Sequence, residues 1–179
     1  MSTAAKKFPA FVPEVCECCR QTKNYDLKLD RGTAMIVLAI YNRVQDKREN
    51  RVHIQEEMVV MPADFPSYRE IVAAGCMTPI MWSNVSRARY HGLVAFVDGG
   101  GDGEYLITPK GAKFLRNEPV PRVAIIDKAT GHKAYYLREE EDVITFSQLM
   151  RKETPFWDLD DIALRRIAGY ESTTGTLFD

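Results

Sequence analysis

Residues 78–115 read TPIMWSNVSRARYHGLVAFVDGGGDGEYLITPKGAKFL, and the fold is decided there. Thr78 followed by Pro79 is a side-chain cap and a first-turn proline, the start of a helix. No breaker follows until Gly92, which can take the left-handed backbone that ends a helix. Leu93 to Val97 is a short β-rich run. Residues 98–103, Asp-Gly-Gly-Gly-Asp-Gly, form a turn or loop. Glu104 to Thr108 is a second strand, and Thr108-Pro109 opens another helix over residues 110–116. The predicted order is helix, strand, glycine-rich tip, strand, helix.

Upstream, residues 33–44 give the strongest helix in the chain, with Asp30 or Thr33 as its cap. Met35, Leu38, Ala39 and Val44 share a face, and Ile36, Val37, Ile40 and Tyr41 widen the apolar stripe beyond one side. Such a helix belongs at the centre of a small core. Residues 45–51 form a charged turn, and Val52-His53-Ile54 is a candidate strand. Residues 55–62 carry no assignable pattern. Residues 67–74 predict a short helix with Tyr68, Ile71 and Val72 inward and Gly75 as its stop. Residues 75–78 then turn the chain between two helices, which places residues 79–91 in the recognition position of a helix-turn-helix.

The residues Arg89-Tyr90-His91-Gly92-Leu93-Val94, followed by Tyr105-Leu106-Ile107-Thr108-Pro109-Lys110-Gly111-Ala112-Lys113-Phe114-Leu115, resemble the second half of a winged helix-turn-helix domain of MarR/ArsR-like topology. The likeness covers roughly residues 31–116. The whole chain also resembles small phage or prophage proteins with an N-terminal cysteine pair. The resemblance implies an α+β fold: a winged helix-turn-helix body with a C-terminal β-hairpin and helix extension. The expected division is an N-terminal arm with a Cys cluster over 1–30, the winged body over 31–118, and the extension over 119–179.

Outside the body, Pro9 and Pro13 argue against regular structure over residues 1–13. Tyr25, Leu27 and Leu29 alternate with charges as in a short strand. Residues 117–121 are an exit linker. Residues 123–126 and 134–137 flank a turn containing Thr130-Gly131 and predict a β-hairpin. Phe146 to Met150 predicts one helical turn capped by Thr145, and residues 160–168 a helix capped by Asp160.

The 179 residues carry a net charge of −1, so no overall basicity points to nucleic acid. The charge is unevenly spread. Residues 31–52 hold five bases against two acids, residues 78–122 six against four, and residues 138–161 three against eight. No apolar run is long enough for a membrane span, and the N-terminus lacks the apolar core of a secretory signal. Cysteines 16, 18 and 19 are too clustered for a secreted disulfide framework, so the cytoplasm is the expected location. Nucleophile-elbow, metalloprotease and phosphate-loop motifs are absent, the three histidines are far apart in sequence, and no enzyme is expected.

Two functions compete. In the first, duplex DNA is bound by the recognition-position helix through Thr78, Ser83, Asn84 and Arg87, supported by Arg43, Lys47, Arg48 and Arg51. Met81, Val85 and Ala88, with Trp82 beside them, would face inward, and Ile80 or His91 outward. The tip, with two Asp and no base, departs from the pattern of wings that touch DNA. In the second, the chain binds a host protein. Its low net charge, acidic tip and acidic C-terminal part favour that reading, while Phe156-Trp157 are either interface anchors or, as expected, residues that pin the tail onto the winged body. A homodimer through the C-terminal elements is a third option. Cys16 and Cys19 form one C-x-x-C, half of a tetrahedral zinc site that would need two more ligands.

Overall fold

The computed structural model describes residues 17–20, 24–47, 49–65, 67–97, 103–127, 133–136 and 142–153. The expected arm over 1–13, the tip residues 98–102, Arg48, Cys16, Phe156-Trp157 and the helix over 160–168 lie outside these. The fold is α+β, with small antiparallel sheets set around helices. In chain order the elements are β1 (Asn24–Lys28), α1 (Arg31–Lys47), β2 (Val52–His53), α2 (Ile54–Glu57), a 3₁₀ turn (Pro62–Asp64), α3 (Tyr68–Ala73), α4 (Pro79–Ser83), α5 (Val85–Tyr90), β3 (Val94–Phe96), β4 (Glu104–Ile107), α6 (Pro109–Leu115), β5 (Val120–Pro121), β6 (Val123–Asp127), β7 (Lys133–Tyr136), β8 (Val143–Ile144) and α7 (Phe146–Glu153).

α1 is the centre of the core, as its all-round apolar pattern predicts. Asp30 caps it, accepting from the Thr33 amide and hydroxyl, both at 2.8 Å. From Thr33 to Asn42 every side chain is buried. The helix touches α3, α4, α5, α6, α7, β2 and β4. Its one buried amide, Asn42, donates to the Val72 carbonyl of α3 at 2.8 Å, while its Oδ1 is buried without a hydrogen-bond partner.

α3 is capped by Ser67 and stopped at Gly75, whose φ is +68°. That glycine is required twice over. The backbone is left-handed, and a Cβ would lie 2.7 Å from the Arg43 amide nitrogen of α1. Tyr68 corrects an expectation. Ile71 and Val72 face inward as predicted, but Tyr68 stands at the helix start and is 49% exposed.

The helix predicted over residues 79–91 is two helices, α4 and α5, broken at Asn84. Ser83 Oγ and Asn84 Nδ2 both donate to the Ile80 carbonyl at 2.8 Å. The Asn84 amide turns to Met81, three residues back. Side chains that compete for a backbone carbonyl loosen a helix at that point, and here they do so in succession. Met81, Val85 and Ala88 still face inward.

Beyond Gly92, again at φ +68°, β3 and β4 fold back on each other, Val94 opposite Ile107 and Phe96 opposite Tyr105. β2 completes the sheet in the order β2-β4-β3. Thr108 caps α6 and also donates to the Gly92 carbonyl at 2.6 Å, joining the two ends of the flap. Gly111 lets α6 approach: a Cβ there would lie 2.1 Å from the Leu93 carbonyl oxygen.

The flanks meet in a way the local pattern does not show. β6 and β7 form the predicted hairpin, and β1 adds to it along β6, Tyr25 opposite Ile126 and Leu27 opposite Ala124. The residues read as an exit linker include β5, which pairs with β8. α7 is longer than the single turn predicted. It opens with a reciprocal cap between Thr145 and Gln148 and stacks Phe146 edge-on against Phe114, ring centres 5.4 Å apart. Both flanks are thus built onto the body.

Gly111→Ala should cost more than about 2 kcal/mol, because the obstructing atom is backbone and cannot rotate away. A chemical denaturation midpoint equal to that of the parent protein would show that α6 can shift without penalty.

Candidate interaction surface

The residues predicted to meet DNA have other obligations. Thr78 is 1% exposed and its hydroxyl accepts from the Met81 amide, so it is a buried helix cap and not a surface contact. This corrects the sequence reading: the feature that identified the helix start also consumes the side chain. Ser83 is exposed and Asn84 half-buried, but both donate to the Ile80 carbonyl. Arg87 reaches across to β1's end and pairs with Asp30 at 2.6 Å.

The supporting cations on α1 are similarly engaged. Lys47 lies 2.6 Å and Arg43 3.9 Å from one oxygen of Glu57 on α2. Burial alone would raise the Glu57 carboxyl, but the Lys47 bond, the His53 amide and the nearby Arg43 charge together hold it below its usual value. Arg51 is exposed. Arg48 lies outside the described residues. Arg43 and Lys47, which the sequence groups with Arg48 and Arg51, thus share the single carboxylate of Glu57.

Large apolar side chains on α4 and just before the 3₁₀ turn are exposed. Ile80 is 69% exposed, Trp82 39% and Met61 62%. Trp82, predicted inward, corrects that reading. With Met81 turned toward the core, its two neighbours leave on opposite flanks of α4. Met61 follows Val60, whose amide bonds to the Met77 carbonyl just before α4, so the backbone there runs close to the start of α4. His91, one of the two side chains expected outside, is 1% exposed.

Two hollows adjoin this face. One, of about 330 Å³, is lined by Arg31, Gly32, Met35, Tyr68 and Met81. The other, of about 150 Å³, includes Ile36, Ile80, Asn84 and the Asp30–Arg87 pair. They share Gly32 and Met81, and both mix apolar with charged lining between the start of α1 and α4. The sequence offered Ile80 as an outward side chain, but gave no reason to expect Trp82 uncovered as well.

Of the cysteine pair read as half a zinc site, Cys16 lies outside the described residues and Cys19 is exposed. Among the described residues no three His, Cys, Asp or Glu side chains come together as metal ligands would. No helix among them is long and apolar enough to cross a membrane.

Asp30 carries two duties, the α1 cap and the Arg87 pair. Asp30→Ala should cost about 1–2 kcal/mol of stability through the cap, whereas Asp30→Asn, which keeps a capping oxygen, should cost under about 1 kcal/mol because the ion pair is partly exposed. Urea unfolding of the two variants tests the ranking, and equal losses would assign the larger share to the ion pair.

Comparison with protein-family models, curated proteins and solved structures finds no match to this chain, so its function is argued from this geometry.

Proposed function

We propose that residues 31–118 are a winged helix-turn-helix body used as a protein-interaction module, with a protein partner docking on the outer face of α4. The order of α1, α3 and α4–α5, followed by the β3–β4 flap against β2, supports the winged reading. The observation that carries the function is the character of the recognition-position surface. Ile80 and Trp82 project from it while Arg87 is held by Asp30. Duplex DNA requires cations free to displace counterions from phosphates. A protein partner instead rewards exposed aliphatic and aromatic anchors beside a trough. Fold alone does not choose between the two, since the same body serves both uses.

Duplex DNA is the second reading, and the exposed Ser83 and Arg51 favour it. The readings separate in one experiment. Immobilised protein and an Ile80→Glu/Trp82→Ala variant are incubated with nuclease-treated host lysate, and both are titrated with duplex DNA at low ionic strength. We expect a stoichiometric protein retained by the parent and lost, by at least about tenfold, with the variant. Thermal unfolding of the variant should stay close to that of the parent, because both side chains are exposed. Tight DNA binding that weakens steeply with salt and is abolished by Arg87→Ala would overturn the proposal in favour of DNA.

A further inference from the structure

Gly32 is the second residue of α1, and nothing around it in the fold asks for glycine. Its φ is not in the left-handed region that Gly75 and Gly92 occupy. Outside its chain neighbours and its own helix backbone, a Cβ there would meet one atom, Asp30 Oδ1, at an ordinary 3.5 Å. At Gly75 and Gly111 the same Cβ would strike backbone at 2.7 and 2.1 Å. A glycine that could be replaced without strain lowers stability, because it leaves the unfolded chain freer. What this one provides is open space on the outside. Gly32 is exposed and lines both hollows between α1 and α4. Glycine at such a place lets the atoms of another molecule come close to the backbone.

The larger hollow, of about 330 Å³, is lined by Met35 from α1, Met81 from α4 and Tyr68 from the start of α3. Methionine sulfur and a tyrosine ring both pack favourably against aromatic rings. The charge in that lining is the cation of Arg31. The Asp30–Arg87 pair belongs to the smaller hollow and balances itself. The occupant that matches is a ring beside a carboxylate. The walls also say what carries it. Tyr68 is 49% exposed, and Ile80, in the lining of the smaller hollow, 69%. A site for a small ligand buries most of that ligand's surface. Walls this open leave a small molecule largely in water, whereas a protein covers the walls while one of its side chains fills the space between them.

We propose that the larger hollow is a socket for one aromatic side chain, Phe or Trp, standing next to an Asp or Glu on the protein partner, with Gly32 as its floor and Arg31 meeting the acid. This rests on the interaction reading and adds to it the chemistry of the segment that docks.

Methyl NMR of the full chain tests the socket. The Met35 and Met81 methyls are the reporters, and Met150, buried on α7, is the reference. The probes are N-acetyl-phenylalanine as its carboxylate and N-acetyl-phenylalaninamide as the uncharged control. We expect the carboxylate to shift both reporters with a dissociation constant on the order of a millimolar. The amide should bind about two- to fivefold more weakly. Gly32→Leu should abolish the shifts and Gly32→Ala weaken them, while both variants unfold at the parent's midpoint or above it. Arg31→Gln should remove the preference for the carboxylate and leave the amide bound. No shift of either reporter at probe concentrations well above a millimolar would overturn the socket, as would shifts that persist in Gly32→Leu. Micromolar saturation by the free derivative would assign the hollow to a small molecule, and reporter shifts that follow protein concentration alone would assign it to a second copy; either overturns the proposal. The lysate capture with Ile80→Glu/Trp82→Ala reads the interaction itself, so a silent titration beside a captured partner rejects the socket alone.

Discussion

A helix that must be buried on nearly all sides is the constraint on which this structure depends. α1 presents no wide polar face from Thr33 to Tyr41, so no single neighbouring layer can cover it. The solution is to surround it. α3 and α4–α5 lie along it, the β2–β4–β3 sheet closes another side, and α7 arrives from the far end of the described chain to cover the rest. Phe114 against Phe146 extends that closure. The small size of every other helix is a consequence: α3, α4 and α5 are too short to persist alone and exist because α1 gives them a surface.

The same need sets the electrostatics. Elements crowded around one helix bring the ends of their neighbours close together, and opposite charges meet there. Asp30 at the start of α1 meets Arg87 from α5, and Glu57 from α2 meets Lys47 and Arg43 near the end of α1. Each pair is partly exposed and adds little stability. Their effect on the surface is larger. They engage Arg43, Lys47 and Arg87, three of the cations that the sequence assigns to DNA. Around α4 the uncovered side chains include Ile80 and Trp82 beside the polar Ser83, which is why we propose a protein partner.

His91 shows the opposite case, a polar side chain enclosed with no partner of its own. Such groups are uncommon and costly. Burial, with the Lys110 charge next, lowers its pKa to about 4, at a seam where a strand from before α1 meets helices from after it. The seam is also where Asp30 does its capping, so the start of the central helix and the seating of β1 are mechanically one feature.

The elements set by local backbone chemistry were legible in the amino-acid order: the caps at Thr78 and Thr108, the left-handed glycines at 75 and 92, the short-range β3–β4 and β6–β7 pairings, and α1 itself. Each depends on residues a few positions apart. Tertiary structure decided the rest. The pairing of β1 with β6 spans about a hundred residues, and that of β5 with β8 has only two residues on each side, so neither leaves a pattern in its own segment. Nor could the order alone say that Arg87, Arg43 and Lys47 would be met by acids, that His91 would be enclosed, or that Trp82 would be left outside, because each outcome depends on what another part of the chain brings to that point in space.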